Sequence, residues 1–525
     1  MVATASQVLG KQVPPPEAVT QALQGILRPQ QWSIQKPDLL ATGRDCNSKG
    51  ILWARAGKVP YPPQWVVWPE STQDVVAVLK LANRFAVPLI PFGGGSGVCG
   101  GTWALRGGIA LDLKRMDRIL NLDTRKMQVR VQTGLNGEIL ERFLRRKGLT
   151  LGHFPSSIYA ATVGGYLACR SAGQFSSHYG KIEDMVEGME VVLPEGQVVR
   201  PISAAGLRNR LDYQEIFLGS EGTLGVITEG TFRIHPKPKV ELYRGVEFPN
   251  LEKSLQAARE IMQRGLKPAV LRIYDPLDTR LASSYSEEGN VSWTQQITAW
   301  VKPLLHAAKN SSLRLALANP TLVKGISDLL GSQCKMILGF HGNGPMPGRE
   351  QEIALKYCKK FRGKDLGEGP GLHWLKHRYS VSYKLSPLFD EGFFADTMEV
   401  ATNWKNLTTL YHAIRNAIGK RALVLAHFSH AYAEGCSIYF TFVGYEDKER
   451  ASRDLYDKIW REALDACHAA GGTISHHHGV GVLKAGFMRK EWGDSFEWLC
   501  RLKRKLDPKN ILNPGKLGFP EDWED

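Results

Sequence analysis

The sequence predicts an α+β protein in two parts, and three observations carry that reading. A glycine-rich loop, Pro91-Phe-Gly-Gly-Gly-Ser-Gly-Val-Cys-Gly-Gly101, lies between two strand-like runs, Ala86-Val-Pro-Leu-Ile90 and Ile109-Ala-Leu-Asp-Leu113. Short strands alternate with helices from about residue 61 to 240, where nearly all the glycine-rich loops fall. Beyond His235-Pro-Lys-Pro-Lys239, whose two prolines mark a domain exit, helical stretches and longer strands take over.

Residues 1–60 form a polar, proline-containing lead-in. Pro69 to Asn83 reads as a capped amphipathic helix, with Ser71 or Thr72 at the cap and Val75, Val76, Leu79 and Ala82 as its apolar stripe. The glycine loop follows a strand. Six glycines in eleven residues admit positive φ and let a bulky anion approach main-chain N–H groups, so the loop is a candidate pyrophosphate cradle. Gly95-Ser-Gly-Val-Cys-Gly100 matches the G-x-G-x-x-G dinucleotide fingerprint. That fingerprint requires a helix opening at its third glycine. Thr102 to Gly108 and then another strand follow instead, which excludes the Rossmann reading.

Asn136 to Lys147 predicts a helix with Ile139, Leu140 and Phe143 on one side. Val191 to Val199 predicts a hairpin turning at Pro194 to Gln197. The least patterned stretch, 284–345, reads as an insertion or a lid. Residues 466–525 return to short, loop-rich structure. The expected division is a lead-in 1–60, a first domain 61–240, a second domain 241–465 and a C-terminal segment 466–525.

At 525 residues, 43% hydrophobic and 23% charged, the chain has ample core for two or three domains. The net charge of +15 favours anionic ligands and lipid headgroups. No nucleic-acid motif accompanies it, and Arg501-Leu-Lys-Arg-Lys505 reads as a solvated helix face. No run is apolar enough to span a bilayer, the first residues lack the pattern of a secretory signal, and Trp-Glu-Asp at the end is not a peroxisomal address. Eight scattered cysteines without a C-x-x-C pair indicate reduced thiols. A cytoplasmic location follows, with room for membrane association.

Three further segments extend the glycine-loop pattern: Gly152-His-Phe-Pro-Ser-Ser-Ile-Tyr-Ala-Ala-Thr-Val-Gly-Gly165, Cys169-Arg-Ser-Ala-Gly-Gln174 followed by His178 to Asp184, and Gly219-Ser-Glu-Gly-Thr-Leu-Gly-Val-Ile227. With the loop and its preceding helix, their order resembles the PCMH-type FAD-binding domain of the vanillyl-alcohol oxidase superfamily. The resemblance implies a two-subdomain FAD domain, an α/β cap domain for substrate, and a C-terminal segment packing back on the FAD domain. It assigns FAD contacts to Pro91, Gly93, Gly94, Gly95, Ser96, Gly97, Val98 and Cys99 in the loop. From the second segment it takes Pro155, Ser156, Ser157, Ala161, Thr162 and Gly165. Next come Cys169, Arg170, Ser171, Ala172 and Tyr179, and last Glu221, Gly222, Thr223, Gly225, Val226 and Ile227. The loop has no histidine for covalent attachment, and Cys99 reads as a small apolar filler, so FAD is expected to be non-covalent.

The second decisive feature is Ser475-His-His-His-Gly-Val-Gly481. Three adjacent histidines cannot share one face, and a metal site wants i, i+2 or i, i+4 pairs with further ligands. Proton transfer suits imidazole better. The motif resembles that of the alkyldihydroxyacetone-phosphate synthase family of ether-lipid flavoproteins. The related D-lactate, glycolate and 2-hydroxyglutarate dehydrogenases tend to carry Glu-His-Gly here, with a metal-serving glutamate where His477 stands. His427 to Tyr439 likewise lacks their Gly-Asp-Gly-Asn core. No metal is therefore expected.

The same resemblance makes Tyr439, in Ile438-Tyr-Phe440, the catalytic tyrosine, with His476, His477 and His478 moving protons. Thr397 to Trp404 matches a family segment of the type S-F-E-T-x-x-x-W, and Arg272 in Leu271-Arg-Ile-Tyr-Asp275 matches a functional arginine. One departure stands out. The family's phosphate-binding arginine is missing from Ser382-Tyr-Lys-Leu-Ser-Pro387, which leaves Lys384 or Arg378 to meet the charge. The implied reaction replaces the acyl group of acyl-dihydroxyacetone phosphate by a fatty alcohol, with the flavin N5 trapping the dihydroxyacetone carbon. The alternatives are a FAD-dependent D-2-hydroxy-acid dehydrogenase and, more weakly, a flavin subunit that needs a partner. The expected partners are a lipid-like substrate and an anionic membrane surface met peripherally, without nucleic acid; a homodimer is left open.

Overall fold

Four strands around the glycine loop form the first sheet. In the order β1 (Trp32–Ser33), β2 (Trp65–Val67), β4 (Ile109–Asp112) and β3 (Leu89–Phe92), the last three run parallel. The computed structural model describes residues 16–200, 213–283, 332–380, 386–390, 392–446 and 448–520. Helix Thr72–Phe85 covers this sheet. Ser71 caps it by accepting from the Asp74 N–H at 3.2 Å. Val75, Val78, Leu79, Leu81 and Ala82 are buried, whereas Val76 is only partly so; the buried stripe takes in Val78 and Leu81 instead. Val19 and Leu23 of helix Glu17–Ile26 join the same core, so this part of the lead-in is structural.

The second sheet is antiparallel throughout, in the order β5 (Ile119–Asp123), β6 (Gln128–Gln132), β9 (Val226–Arg233), β7 (Val186–Val192) and β8 (Val198–Val199). The hairpin turns where expected, with the Leu193 N–H bonded to the Gln197 carbonyl at 2.9 Å. Helix Gly137–Arg146 corrects one expectation. Asn136 caps it and sets Leu140 and Leu144 inward, which leaves Ile139 54% exposed. Val192 and Val226 pack in the core of the first sheet, joining the two halves.

The cap domain carries seven described strands, all paired antiparallel: β13 (Lys364–Asp365), β10 (Val240–Phe248), β12 (Cys334–Gly342), β11 (Val270–Tyr274), β15 (Leu423–Ala431), β16 (Gly435–Gly444) and β14 (Phe394–Asn403). The stretch read as least patterned therefore ends in a long central strand; its residues 284–331 lie outside the described ones. Side chains alternate across this sheet. Ile273, Phe428, Ile438, Phe440, Met398 and Val400 enter a core with helices Leu251–Gln263, Leu407–Ile418 and Glu449–Ala469. The opposite set, including Arg272, His427, Tyr439 and Thr441, lines a cavity.

The C-terminal segment returns to the glycine-loop side. The Leu89 N–H donates to the Ile511 carbonyl and the Asn513 N–H to the Leu89 carbonyl, while the Asn513 side chain donates to the carbonyls of Gly101 and Glu221. Lys503, read from sequence as part of a solvated basic face, is fully buried. Its ammonium pairs with the Asp507 carboxylate and donates to the Thr223 and Leu512 carbonyls, both at 2.9 Å. Asp507 also accepts from the Ile511 and Leu512 N–H groups. Among the described residues no helix is long and apolar enough to cross a membrane.

Removing one partner of a buried pair strands the other charge, at a cost of about 3–5 kcal/mol. Asp507→Ala should lower the unfolding free energy by about that much in denaturant titration of the purified protein. A loss below about 1 kcal/mol, the range of surface pairs, would show that Lys503 escapes to water.

Candidate active site

One cavity of about 1070 Å³ runs between the first domain and the cap. Its first wall is the glycine loop backed by Pro155–Ser157, Ala160–Thr162, Gly164–Gly165, Cys169, Ser171–Ala172, Glu221–Gly222, Gly225 and Ile227. Glycine is required sterically at position 94: a Cβ there would sit 1.9 Å from the Ala160 carbonyl oxygen. The two glycine-bearing segments thus lie against each other along one wall. Asp45, from the lead-in, braces the loop by accepting from the Gly100 N–H at 2.8 Å and from Trp103 Nε1 at 3.0 Å. Burial, opposed by these bonds, raises its carboxyl to about 6.

The opposite wall is the inner face of the cap sheet. Register sets His427, Tyr439 and Glu399 on one rung across β15, β16 and β14. The His427 ring stacks on Tyr439, 4.6 Å between centroids. The Tyr439 hydroxyl makes a short hydrogen bond with His477 Nε2 and a second, at 2.9 Å, with His430 Nε2. Behind them Glu399, fully buried, accepts from the backbone N–H groups of His476 and His477 at 3.0 and 3.2 Å and lies 3.5 Å from His477 Nδ1. Burial alone would raise this carboxyl. The charge and hydrogen bond of His477, with Lys484 and His476, overcome it and hold Glu399 well below its ordinary value. Burial, reinforced by Glu399, pushes the Tyr439 phenol well above its own. Burial and then the charge of His477 hold His430 and His478 well below theirs, so both rings are neutral near pH 7.

Tyr439, His477 and His478 line the cavity. His476 does not; its Nδ1 is 3.0 Å from His477 Nδ1 and its ring packs near Tyr432. Arg272 and Arg378 also line it, each with a buried Nε that has no hydrogen-bond partner among the described residues. Arg378 spends its other nitrogens on the Leu375 carbonyl and the Tyr379 hydroxyl. Lys384 lies outside the described residues.

Four expected cofactor contacts point elsewhere. Arg170 turns to Glu183 and Glu215, and Tyr179 packs with His178, His235 and His341. Thr223 is buried over the tail lysine Lys503, and Val226 belongs to the sheet core. Glu221 lines the cavity, yet its carboxylate grips the Val480 and Gly481 N–H groups at 2.5 and 2.8 Å. Glu399, His430 and Asp45 carried no role in the sequence reading. An acid within the apolar alternation of a strand is the signal that marks Glu399. His430 follows from tertiary structure alone: β15 bulges against β16 between Ser429 and Ala431, and His430 has φ +53°.

A family model described as FAD binding domain matches residues 63–201, and one described as FAD linked oxidases, C-terminal domain, matches residues 237–517. The chain is 31% identical over 484 residues to the alkyldihydroxyacetonephosphate synthase of Dictyostelium discoideum, covering 89% of this chain and 75% of that one. It is 27% identical over 468 residues to the mitochondrial D-lactate dehydrogenase (cytochrome) of Arabidopsis thaliana, covering 87% and 73%. A solved alkyldihydroxyacetonephosphate synthase superposes with a TM-score of 0.75 at 28% identity, covering 96% of this chain and 86% of that one.

The cofactor is FAD. The cavity has the size and the glycine-walled side that a dinucleotide needs. Cys46, Cys99 and Cys169, which line it, are all pushed up by burial, away from the reactive thiolate. Acid precipitation should therefore leave FAD in the supernatant; colour retained in the pellet would demonstrate a covalent link. Gly94→Val should lower the flavin-to-protein absorbance ratio, because the loop must leave Ala160 to admit the side chain. An unchanged ratio would remove this contact from the flavin wall.

Proposed function

The chain belongs to the alkyldihydroxyacetonephosphate synthase family of FAD-linked enzymes, and from that premise we propose that it makes an ether lipid, exchanging the acyl group of acyl-dihydroxyacetone phosphate for a fatty alcohol. The observation that carries this reading is the Tyr439 hydroxyl held between two histidines, at the wall facing the glycine loops.

FAD, which the glycine loop and the segments facing it would hold, would supply an electron-accepting ring. The protein's own part is binding and proton movement. Arg272 and Arg378 offset the phosphate charge, with Lys384 as a further candidate, and Val270, Leu271, Ile337 and Leu425 give the cavity apolar walls for an alkyl chain. The Tyr439 phenol stays protonated near neutral pH, because burial and Glu399 both disfavour the phenolate. It gives its proton to, or takes one from, reacting oxygen and carbon only as His477 Nε2 exchanges the matching proton. Glu399, kept ionised, stabilises positive charge on His477 and fixes the loop that carries it. His478 supplies a neutral imidazole on the same wall. The net charge of +15 supports docking at the anionic membranes that hold such substrates.

A second reading has one observation in its favour. Ligand atoms of Glu399, His476 and His477 lie within 4.8 Å of one another, a geometry that a metal-assisted 2-hydroxy-acid dehydrogenase would use. In the reading advanced here those atoms are engaged with one another, and the reaction needs no metal. The purified enzyme should then contain no stoichiometric zinc or manganese and should keep its activity in chelator. Chelator-sensitive oxidation of D-lactate or 2-hydroxyglutarate would reverse the assignment.

Tyr439→Phe removes a hydroxyl and almost no volume. The variant should retain FAD and lose about 10²–10⁴-fold in turnover, measured as fatty-acid release from acyl-dihydroxyacetone phosphate under anaerobic conditions. A flavin-loaded variant running near the wild-type rate would reduce Tyr439 to packing.

A further inference from the structure

His430 is held in a conformation that costs energy. It is a non-glycine residue at φ +53°, at the bulge where β15 slips against β16. The bulge directs the ring between two oxygens on different domains. Its Nε2 is 2.9 Å from the Tyr439 hydroxyl, and its Nδ1 is 2.7 Å from Ser176 Oγ, in the short helix Ser176–Tyr179 of the FAD-loop side. Ser176 is buried and in turn accepts from the Tyr432 hydroxyl at 3.1 Å. Tyr432, half-buried beside exposed Ala433 and Glu434, is the outer end of the series; Tyr439, half-buried at its inner end, faces the cavity, and Ser176 and His430 between them are buried.

Resting on the reading of Tyr439 as the acid–base group, we propose that Tyr432, Ser176 and His430 form a proton relay that connects Tyr439 to solvent across the domain seam. Every donor in the series can point the same way. The Tyr432 O–H donates to Ser176 Oγ, the Ser176 O–H to His430 Nδ1, the His430 Nε2–H to Tyr439 Oη, and the Tyr439 O–H to His477 Nε2. One passage moves a proton inward along each bond. Ser176 Oγ gains the Tyr432 proton as it gives up its own, His430 gains at Nδ1 and loses at Nε2, and Tyr439 is refilled from Nε2 as its proton leaves. Solvent then restores the Tyr432 hydroxyl. No electrons move and no net charge stays on the ring; His430 changes only its tautomer. A neutral imidazole suits this, since it carries one donor and one acceptor nitrogen. Burial and the neighbouring charges of His477 and His476 favour that state. His430 lines the cavity, whereas Ser176 and Tyr432 do not, so those two act only through it.

The test uses full-length, FAD-loaded enzyme carrying Ser176→Ala, Ser176→Thr or Tyr432→Phe. Turnover is followed in water and in D₂O, with whichever of acyl exchange or 2-hydroxy-acid oxidation the wild type performs. Ser176→Ala and Tyr432→Phe should keep FAD, slow turnover by about tenfold, less than the loss of Tyr439 itself, and show a larger solvent isotope effect. Ser176→Thr, which restores a hydroxyl, should recover most of the rate, and small proton donors such as imidazole should partly rescue Ser176→Ala. Wild-type rates in Ser176→Ala and Tyr432→Phe alongside an impaired Tyr439→Phe would overturn the relay alone. A wild-type rate in Tyr439→Phe would instead overturn the reading of the site. A readout free of substrate separates relay from packing. With ¹⁵N-labelled histidine, exchange of the His430 ring proton with solvent should slow in Ser176→Ala. A purely structural hydrogen bond would leave that exchange unchanged or faster.

Discussion

The loop 475–481 is held from two domains by two buried carboxylates, and the site depends on that grip. Glu399, on the cap sheet, accepts from the N–H groups of His476 and His477. Glu221, on the FAD-loop side, accepts from those of Val480 and Gly481. Each burial would be costly without compensation. Backbone donors supply part of it, and Lys484, itself fully buried, lowers both carboxyls while donating to the Glu399 carbonyl at 3.4 Å. The balance differs between the two. Burial wins at Glu221, whose carboxyl is raised, and loses at Glu399, where imidazoles stand close. The negative charge is thus held most firmly directly behind the hydrogen-bonded pair of Tyr439 and His477.

This grip also ties the histidine loop to the flavin wall. The Cys99 carbonyl accepts from the Val482 and Leu483 N–H groups, and Gly481, at φ +52°, passes so near that a Cβ would lie 2.1 Å from that carbonyl oxygen. The glycine loop and the histidine loop are consequently in direct contact. The tail reinforces it from beneath, where Lys503 and Asp507 join Thr223 to Leu512. Preorganisation of this kind keeps the reacting groups in register without reorganisation during the reaction.

Local signals made much of the molecule legible. Glycine density with flanking strands marked one wall of the cavity, because only glycine tolerates the approach seen at Gly94. The Ser71 cap and the hairpin at Pro194 follow from short-range chemistry, and two residues singled out by type, Tyr439 and His477, are hydrogen-bonded to each other. The errors in helix faces share a cause. Ile139, Val76 and Lys503 each depend on how a helix is rotated against its neighbour, and a periodic pattern fixes a stripe only to within about one residue.

What the sequence determined by itself was therefore the chemistry available and the elements that carry it. Tertiary structure alone decided which groups meet. Glu399 acquires its role because β14 pairs with β16 in the register that sets it beside Tyr439, 40 residues away along the chain, and near His477. His430 faces Ser176 because a bulge turns a strand residue into left-handed backbone. Asp45 reaches the glycine loop from a lead-in that carried no motif. These are long-range pairings, set by sheet register and domain packing, and no local spacing encodes them.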